Sequence, residues 1–148
     1  MGRDETMGKQ RIPRDVAQAA LYLVRGQAER EKRYREQLRA IAGYDRKTPG
    51  GNLARVLPSC EEKKRRMCEL DNSRDARTMR AIQQAAYDIG ADLPMDISWK
   101  LREAVLNNCR DGRRWRYELL DVPTISRAEF YRRKREFLRD VAQRCGIW

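Results

Sequence analysis

Apolar residues along this chain recur at helical spacing, and nowhere do they alternate over a useful length as a half-buried strand requires. From Arg14 to Ala42 the run beginning "RDVAQAALYLVRG" reads as one long helix, opened by Pro13, whose fixed φ suits a first turn. Val16, Ala20, Leu23 and Val24 make one apolar stripe; Tyr34, Leu38 and Ile41 make a weaker second one. Between them lies an almost wholly polar stretch with Glu29/Arg33 and Glu31/Arg35 at i,i+4. A helix of this kind is expected to project, or to pair with a second copy through one stripe. Gly43 ends it, and Pro49-Gly50-Gly51 predicts a loop. "SCEEKKRRMCEL" reads as a short charged helix. Ser73 then suits the N-cap of a helix with Met79, Ile82, Ala86 and Ile89 on one face and Gly90 as its stop.

The pattern tightens after Asp92. Leu93-Pro94 breaks the chain, and Ser98 is expected to cap a helix carrying Leu101, Val105 and Cys109 on one face, stopped by Gly112. "RRWRYELLDV" predicts a second short helix with Trp115, Leu119 and Val122 inward, and Pro123 forbids its continuation. Ser126 and Glu129 form a Ser-x-x-Glu capping box at the start of the last helix. At about 100° per residue, Phe130, Phe137, Leu138, Val141 and Cys145 fall on one face. Arg132, Arg135 and Arg139 lie opposite, with Arg127 and Tyr131 at the exposed N-terminal shoulder. The expected architecture is all-α: a disordered tail over 1–12, a long helix over 13–43, a loop and short charged helix over 44–72, and a helical domain over 73–148. Within that domain a short helix, a turn and a longer basic helix, over 113–144, are written as a helix-turn-helix.

Charge sharpens this expectation. The chain carries 33 Lys and Arg against 22 Asp and Glu, a net +11. Residues 1–50 hold 12 basic and 7 acidic groups, residues 51–98 hold 8 of each, and residues 99–148 hold 13 and 7. Basic ends around a neutral middle point to a polyanionic partner, because excess like charge otherwise opposes compaction. Four scattered cysteines without a Cys-x-x-Cys pair, and no histidine at all, argue against a zinc site or a disulfide framework. The missing histidine also removes the commonest general base. With no phosphate-binding glycine loop and no clustered carboxylates, an enzyme is not expected, and neither is a cofactor or a metal. No apolar run is long enough for a membrane span or a signal peptide, so a soluble protein of the cytoplasm is expected. Met1-Gly2 with Thr6 matches a myristoylation pattern too short and common to carry weight.

The stretch "GRRWRYELLDVPTISRAEFYRRKREFLRDVAQRCGI" resembles the C-terminal part of the ArpU/RinA type of phage transcriptional regulators and, more distantly, the helix-turn-helix of sigma factor region four. "ISRAEFYRRKREFL" carries most of the match, which covers roughly the last 55 residues of the sequence. The resemblance implies a regulator of phage or prophage genes that binds double-stranded DNA in a bacterial host, and a place close to the nucleoid is expected. Because one helix-turn-helix reads few base pairs, contact with RNA polymerase or a homodimer formed through the N-terminal helix is expected to supply specificity. Arg127, Ala128, Tyr131, Arg132 and Arg135 are then the candidates for reading base edges, since arginine grips guanine bidentately and alanine admits a thymine methyl. Arg113, Arg114, Arg116, Ser126, Lys134 and Arg139 are candidates for the phosphate backbone. Region-four helices usually hold an apolar residue where this chain has Arg133. Either Arg133 snorkels from the core edge to a phosphate, or the helix is rotated relative to that template. A second class of reading is an adaptor without base readout: a polymerase-binding or small-terminase-like packaging subunit whose basic surface meets nucleic acid generally. Trp99, Trp115 and Trp148 could stack on unpaired bases, but core packing is the simpler expectation for Trp115.

Overall fold

The computed structural model describes residues 11–43 and 60–148. The N-terminal decapeptide and the Pro49-Gly50-Gly51 loop lie outside the described residues. The chain is all-α: six α-helices and one 3-10 turn, with no strand among the described residues. The helices are α1 (Arg14–Arg25), α2 (Gln27–Ala42), α3 (Cys60–Asp71), α4 (Arg74–Tyr87), α5 (Met95–Arg110) and α6 (Arg127–Arg144), with the 3-10 turn at Tyr117–Leu119. They fall into two compact units, residues 26–80 and a second assembled from the chain up to Arg25 and from Ala81 to Trp148.

The expected long first helix is two. Gly26 breaks it, at φ −83° and ψ 0°, because glycine inside a helix costs about 1 kcal/mol and yields first where packing changes. The break coincides with the boundary between units. In residues 26–80 the packing is largely polar. Leu70, Ala76 and Met79 are its buried apolar residues, while Gln27 and Arg30 are buried beside them. Gln27 Nε2 donates to the Met79 carbonyl at 2.8 Å, and Arg30 Nη1 donates to Gln27 Oε1 at 2.8 Å, so both buried side chains are satisfied. Tyr34 Oη donates to Asp71 Oδ1 at 2.8 Å, and Arg80 reaches the same oxygen at 2.6 Å. Tyr34, expected to pack through an apolar stripe, is thus spent on a carboxylate. Ser73 caps α4 as expected, accepting from the Ala76 amide at 3.3 Å.

The other unit holds the main apolar core. Ala20 and Val24 of α1, Ile82 to Ile89 around the end of α4, Leu101, Val105 and Cys109 of α5, and Phe130, Phe137, Leu138 and Val141 of α6 meet there. The first stripe of the N-terminal helix is therefore used inside the molecule, packed on α6 and α5. A dimer through that stripe loses its surface. Gly90 turns the chain after α4 at φ +67°, and a Cβ there would meet Ser98 Cα and Leu101 Cδ2 at 3.3 Å. Ser98 is not the cap expected of it. The helix begins at Met95 behind Pro94, and Ser98 Oγ donates back to the Met95 carbonyl at 3.1 Å. Arg102 instead crosses to the end of α4, donating to the carbonyls of Ala86 and Tyr87 at 2.8 Å each, a second donor for Ala86, which also accepts from the Ile89 amide, and a partner for the helix-end carbonyl of Tyr87.

Candidate nucleic-acid interface

The start of α6 is set by its cap. Ser126 has extended backbone (φ −74°, ψ 161°), and its Oγ accepts from the Glu129 amide at 3.1 Å. Pro123 stands exposed in the preceding turn, outside any helix. The inward face is as the periodicity demands: Phe130, Phe137, Leu138 and Val141 are buried, with Cys145 at the margin. Phe130 and Tyr131 stack edge to face at 5.1 Å, and Tyr117 lies 5.7 Å from Phe130. The exposed arginines are left on the opposite side.

The element before α6 is not the one expected. Residues 113–122 form a turn, a single 3-10 turn and an irregular exit; the α-helix preceding α6 is α5, and residues 111–126 separate the two. The expected turn is present, closed by the Ile125 amide donating to the Val122 carbonyl at 3.1 Å, but a single 3-10 turn stands where the short α-helix was expected, so the helix-turn-helix over 113–144 is absent in that form. The physical reasons are local. Asp111 Oδ1 accepts from the amides of Arg113 and Arg114 at 3.1 and 3.2 Å, an Asx turn that competes with helix, and three arginines at a would-be N-terminus oppose the helix dipole. Asp121 sits at φ +51°, which ends any helical run there. The inward residues are Tyr117, Leu120, Val122 and Ile125, while Leu119 is 63% exposed and Trp115 39% exposed. Of the three expected inward positions, Val122 alone is buried.

Around α6 the charge is asymmetric. The helix carries seven basic and three acidic side chains. Arg133 is the departure noted in the sequence, and it resolves neither to a phosphate nor to a rotated helix. Its guanidinium is 10% exposed, donating to Asp92 Oδ1 and Oδ2 at 2.7 and 2.9 Å and to Glu129 Oε1 at 3.2 Å. That pairing holds the Asp92 carboxyl at about 2, well below its ordinary 3.8. The Glu129 carboxylate serves Arg133 and, at 3.6 Å, Arg132. Beside them a cleft of about 220 Å³ is lined by Arg133 and by Asp88, Asp92, Glu136 and Asp140. On this flank the carboxylates pair with Arg132, Arg133 and Arg144, so three of the helix's arginines are engaged within the chain and are less open to a polyanion.

The candidate base readers divide along this asymmetry. Arg132 leans to the acidic flank, with Nη1 on Glu136 at 2.7 Å. Arg135 is exposed and has no ion pair among the described residues. Ala128 is exposed next to Arg127, which pairs with Glu118 at 3.4 Å and lies over the Tyr131 ring at 5.8 Å. Tyr131 is half-buried against Phe130. Among the backbone candidates, Arg139 lies over the Trp148 ring at 5.3 Å on the outer side, and Ser126 is exposed at the cap. Lys134 is half-buried at the edge of the apolar seam, where its charge acts on the Cys109 thiol, so it stands apart from the outer strip. Arg113, Arg114 and Arg116 are all exposed on the connection. Sequence reasoning missed the carboxylates facing α6 from Asp88 and Asp92, because nothing in their local spacing couples them to a helix 40 residues away. Among the described residues no cluster of side chains could hold a metal ion, and no helix is long and apolar enough to cross a membrane. No family model, curated protein sequence or solved structure matches the chain.

Proposed function

We propose that this protein binds double-stranded DNA through the outer strip of α6, formed by Arg127, Ala128, Arg135 and Arg139, and that it acts as a transcriptional regulator of the phage or prophage kind its C-terminal sequence resembles. One observation carries the reading: the Phe130–Phe137–Val141 seam is turned into the core, which leaves Arg127 and Arg135 exposed on the outer side of the helix, with Arg139 half-exposed beside Trp148. Guanidinium groups on an exposed helix face match phosphate and guanine edges bidentately. Ala128 leaves room for close approach. The exposed cap at Ser126 and the arginines of the connection are placed to take phosphates, which fix register without specifying sequence. A partner such as RNA polymerase, or a second copy, would supply the specificity that one helix cannot.

A second reading has its own support. With a single 3-10 turn in place of the first helix of a helix-turn-helix, and with Arg132 committed to Glu136, α6 offers fewer groups for base edges than a helix-turn-helix does. That favours an adaptor which grips the DNA backbone generally, as a polymerase-binding or packaging subunit would. Selection from random duplex oligonucleotides separates the two. A motif that emerges with the wild-type chain and vanishes with Arg135→Ala supports base readout; uniform binding across sequences, with a salt dependence set by phosphate contacts, supports the adaptor. No duplex binding at low salt overturns both.

A further inference from the structure

Trp115 and Leu119 are exposed beside a groove of about 240 Å³ between α5 and the connection that follows it. Their exposure is enforced by local bonds. Asn108 Nδ2 donates to the Trp115 carbonyl at 2.6 Å, the Trp115 amide donates to the Asp111 carbonyl at 3.0 Å, and Arg116 Nε donates to the Arg113 carbonyl at 3.1 Å. The last turn of α5 thus fixes the backbone that carries the indole beside the groove. A tryptophan held outward in this way leaves apolar surface in water unless something covers it.

The chemistry of the lining says what would cover it. Ala104 and Leu120 join Trp115 and Leu119 as apolar surface, and Lys100 and Arg116 bring positive charge. Arg110 at the end of α5 and Arg113 and Arg114 of the connection add positive charge, against Glu103 in the lining and Asp111, Glu118 and Asp121 of the connection; the Asp111 carboxylate accepts from two backbone amides and Glu118 pairs with Arg127. The excess that remains is positive and favours an occupant with negative charge. The Arg114 guanidinium lies over the Trp115 ring at 5.4 Å, and such an arginine–indole pair is itself a stacking platform. Glu103 and Asn107 also line the groove, and neither they nor Lys100 has a side-chain hydrogen bond or ion pair among the described residues. A flat ring, an edge with donors and acceptors, and an attached phosphate meet all of these groups at once. An acidic peptide meets the cations but sets like charge against Glu103. The volume is below that of a drug-sized pocket and suits a single base.

We propose that this groove takes one unpaired base of a single-stranded nucleic acid, stacked on Trp115, with its edge toward Asn107 and Glu103 and its phosphates toward Lys100 and Arg116. The groove shares Arg114 and Arg116 with the duplex reading, but Trp115 belongs to the groove alone, so the experiment is built on Trp115. The test measures binding of the full chain to a labelled short oligothymidylate and to a duplex, by fluorescence anisotropy at fixed low salt. Trp115→Ala is expected to weaken single-strand binding about 5- to 150-fold, the loss of one stacked base. Trp115→Phe keeps a ring and retains most of the affinity; Trp99→Ala, exposed on α5, leaves it unchanged; duplex binding is the same in all three. Trp115→Ala with wild-type single-strand affinity and an unchanged circular dichroism spectrum overturns the proposal. So does an equal loss in the phenylalanine variant, or Trp115-dependent binding of oligoglutamate in place of the oligonucleotide. Failure of the α6 reading registers elsewhere, as duplex affinity indifferent to Arg135→Ala.

Discussion

Replacing Asp92 by alanine should cost more than replacing Arg133 by methionine, although the two side chains form one ion pair. Asp92 holds the Arg133 guanidinium bidentately, and its carboxyl sits at about 2 in the folded chain against an ordinary 3.8. That difference is nominally worth about 2.5 kcal/mol. The Asp92 side chain is 67% exposed, so solvent screening reduces it to about 1 kcal/mol. Asp92→Ala also leaves the Arg133 side chain, 10% exposed, with Glu129 as its partner, adding about 1 kcal/mol for the donors left unpaired. The total is about 2 kcal/mol. Arg133→Met keeps the buried stem against Phe130 and Phe137 and leaves behind two carboxylates that water reaches, so it costs about 1 kcal/mol. The double variant should cost no more than Arg133→Met, because Asp92 has nothing left to hold.

Urea unfolding at pH 7 followed by tryptophan fluorescence measures this, since Trp99, Trp115 and Trp148 all lie in the unit that contains α6. The pH dependence adds a sign. A carboxyl depressed on folding stabilises above its unfolded value and loses that contribution as pH falls toward the folded one, so the deficit of Asp92→Ala should shrink between about pH 4 and pH 2. Equal or larger cost for Arg133→Met, additive single effects, or a deficit constant down to pH 2 would refute the reasoning.

Other outcomes follow from the same geometry. Arg135→Ala should lower duplex affinity and reduce the slope of log affinity against log salt by about 1, whereas Glu136→Gln, which releases Arg132, should raise affinity several-fold; filter binding across a salt series reads both. Gly90→Ala should destabilise by about 2 kcal/mol, from the left-handed backbone and the close approach of Ser98, as a lower urea midpoint at unchanged slope. Cys109 is fully buried and its thiol is pushed up to about 11 by burial, so at pH 8 a thiol reagent should modify the exposed Cys60 and Cys68 promptly and Cys109 only on unfolding, as peptide mapping would show.

Periodicity alone located the inward faces of α4, α5 and α6. A buried helical stripe needs only side chains on one element, and Met79, Ile82, Leu101, Val105, Phe130, Phe137 and Val141 are all buried as their spacing requires. The Ser126 and Ser73 caps were legible for the same reason, since a cap bonds within three residues. Glycine was read correctly as a stop at Gly43 but not as the break at Gly26, where the apolar stripe gave out before the helical propensity did.

What lay beyond the sequence was every contact between distant segments. The stripe of α1 looked available to a second copy until α6 was seen to fill it. Arg133 was open to two readings, a phosphate contact or a rotated helix, and it pairs instead with Asp92, while the carboxylates nearby engage Arg132 and Arg144. Trp115 looked like core, yet Asn108 pins its carbonyl and leaves the indole at the surface. Short-range rules fix which face of a helix is apolar. The sign of the charge around the opposite face is a sum over neighbours brought in by folding, and Coulomb energy at a few ångströms depends on where those neighbours stand.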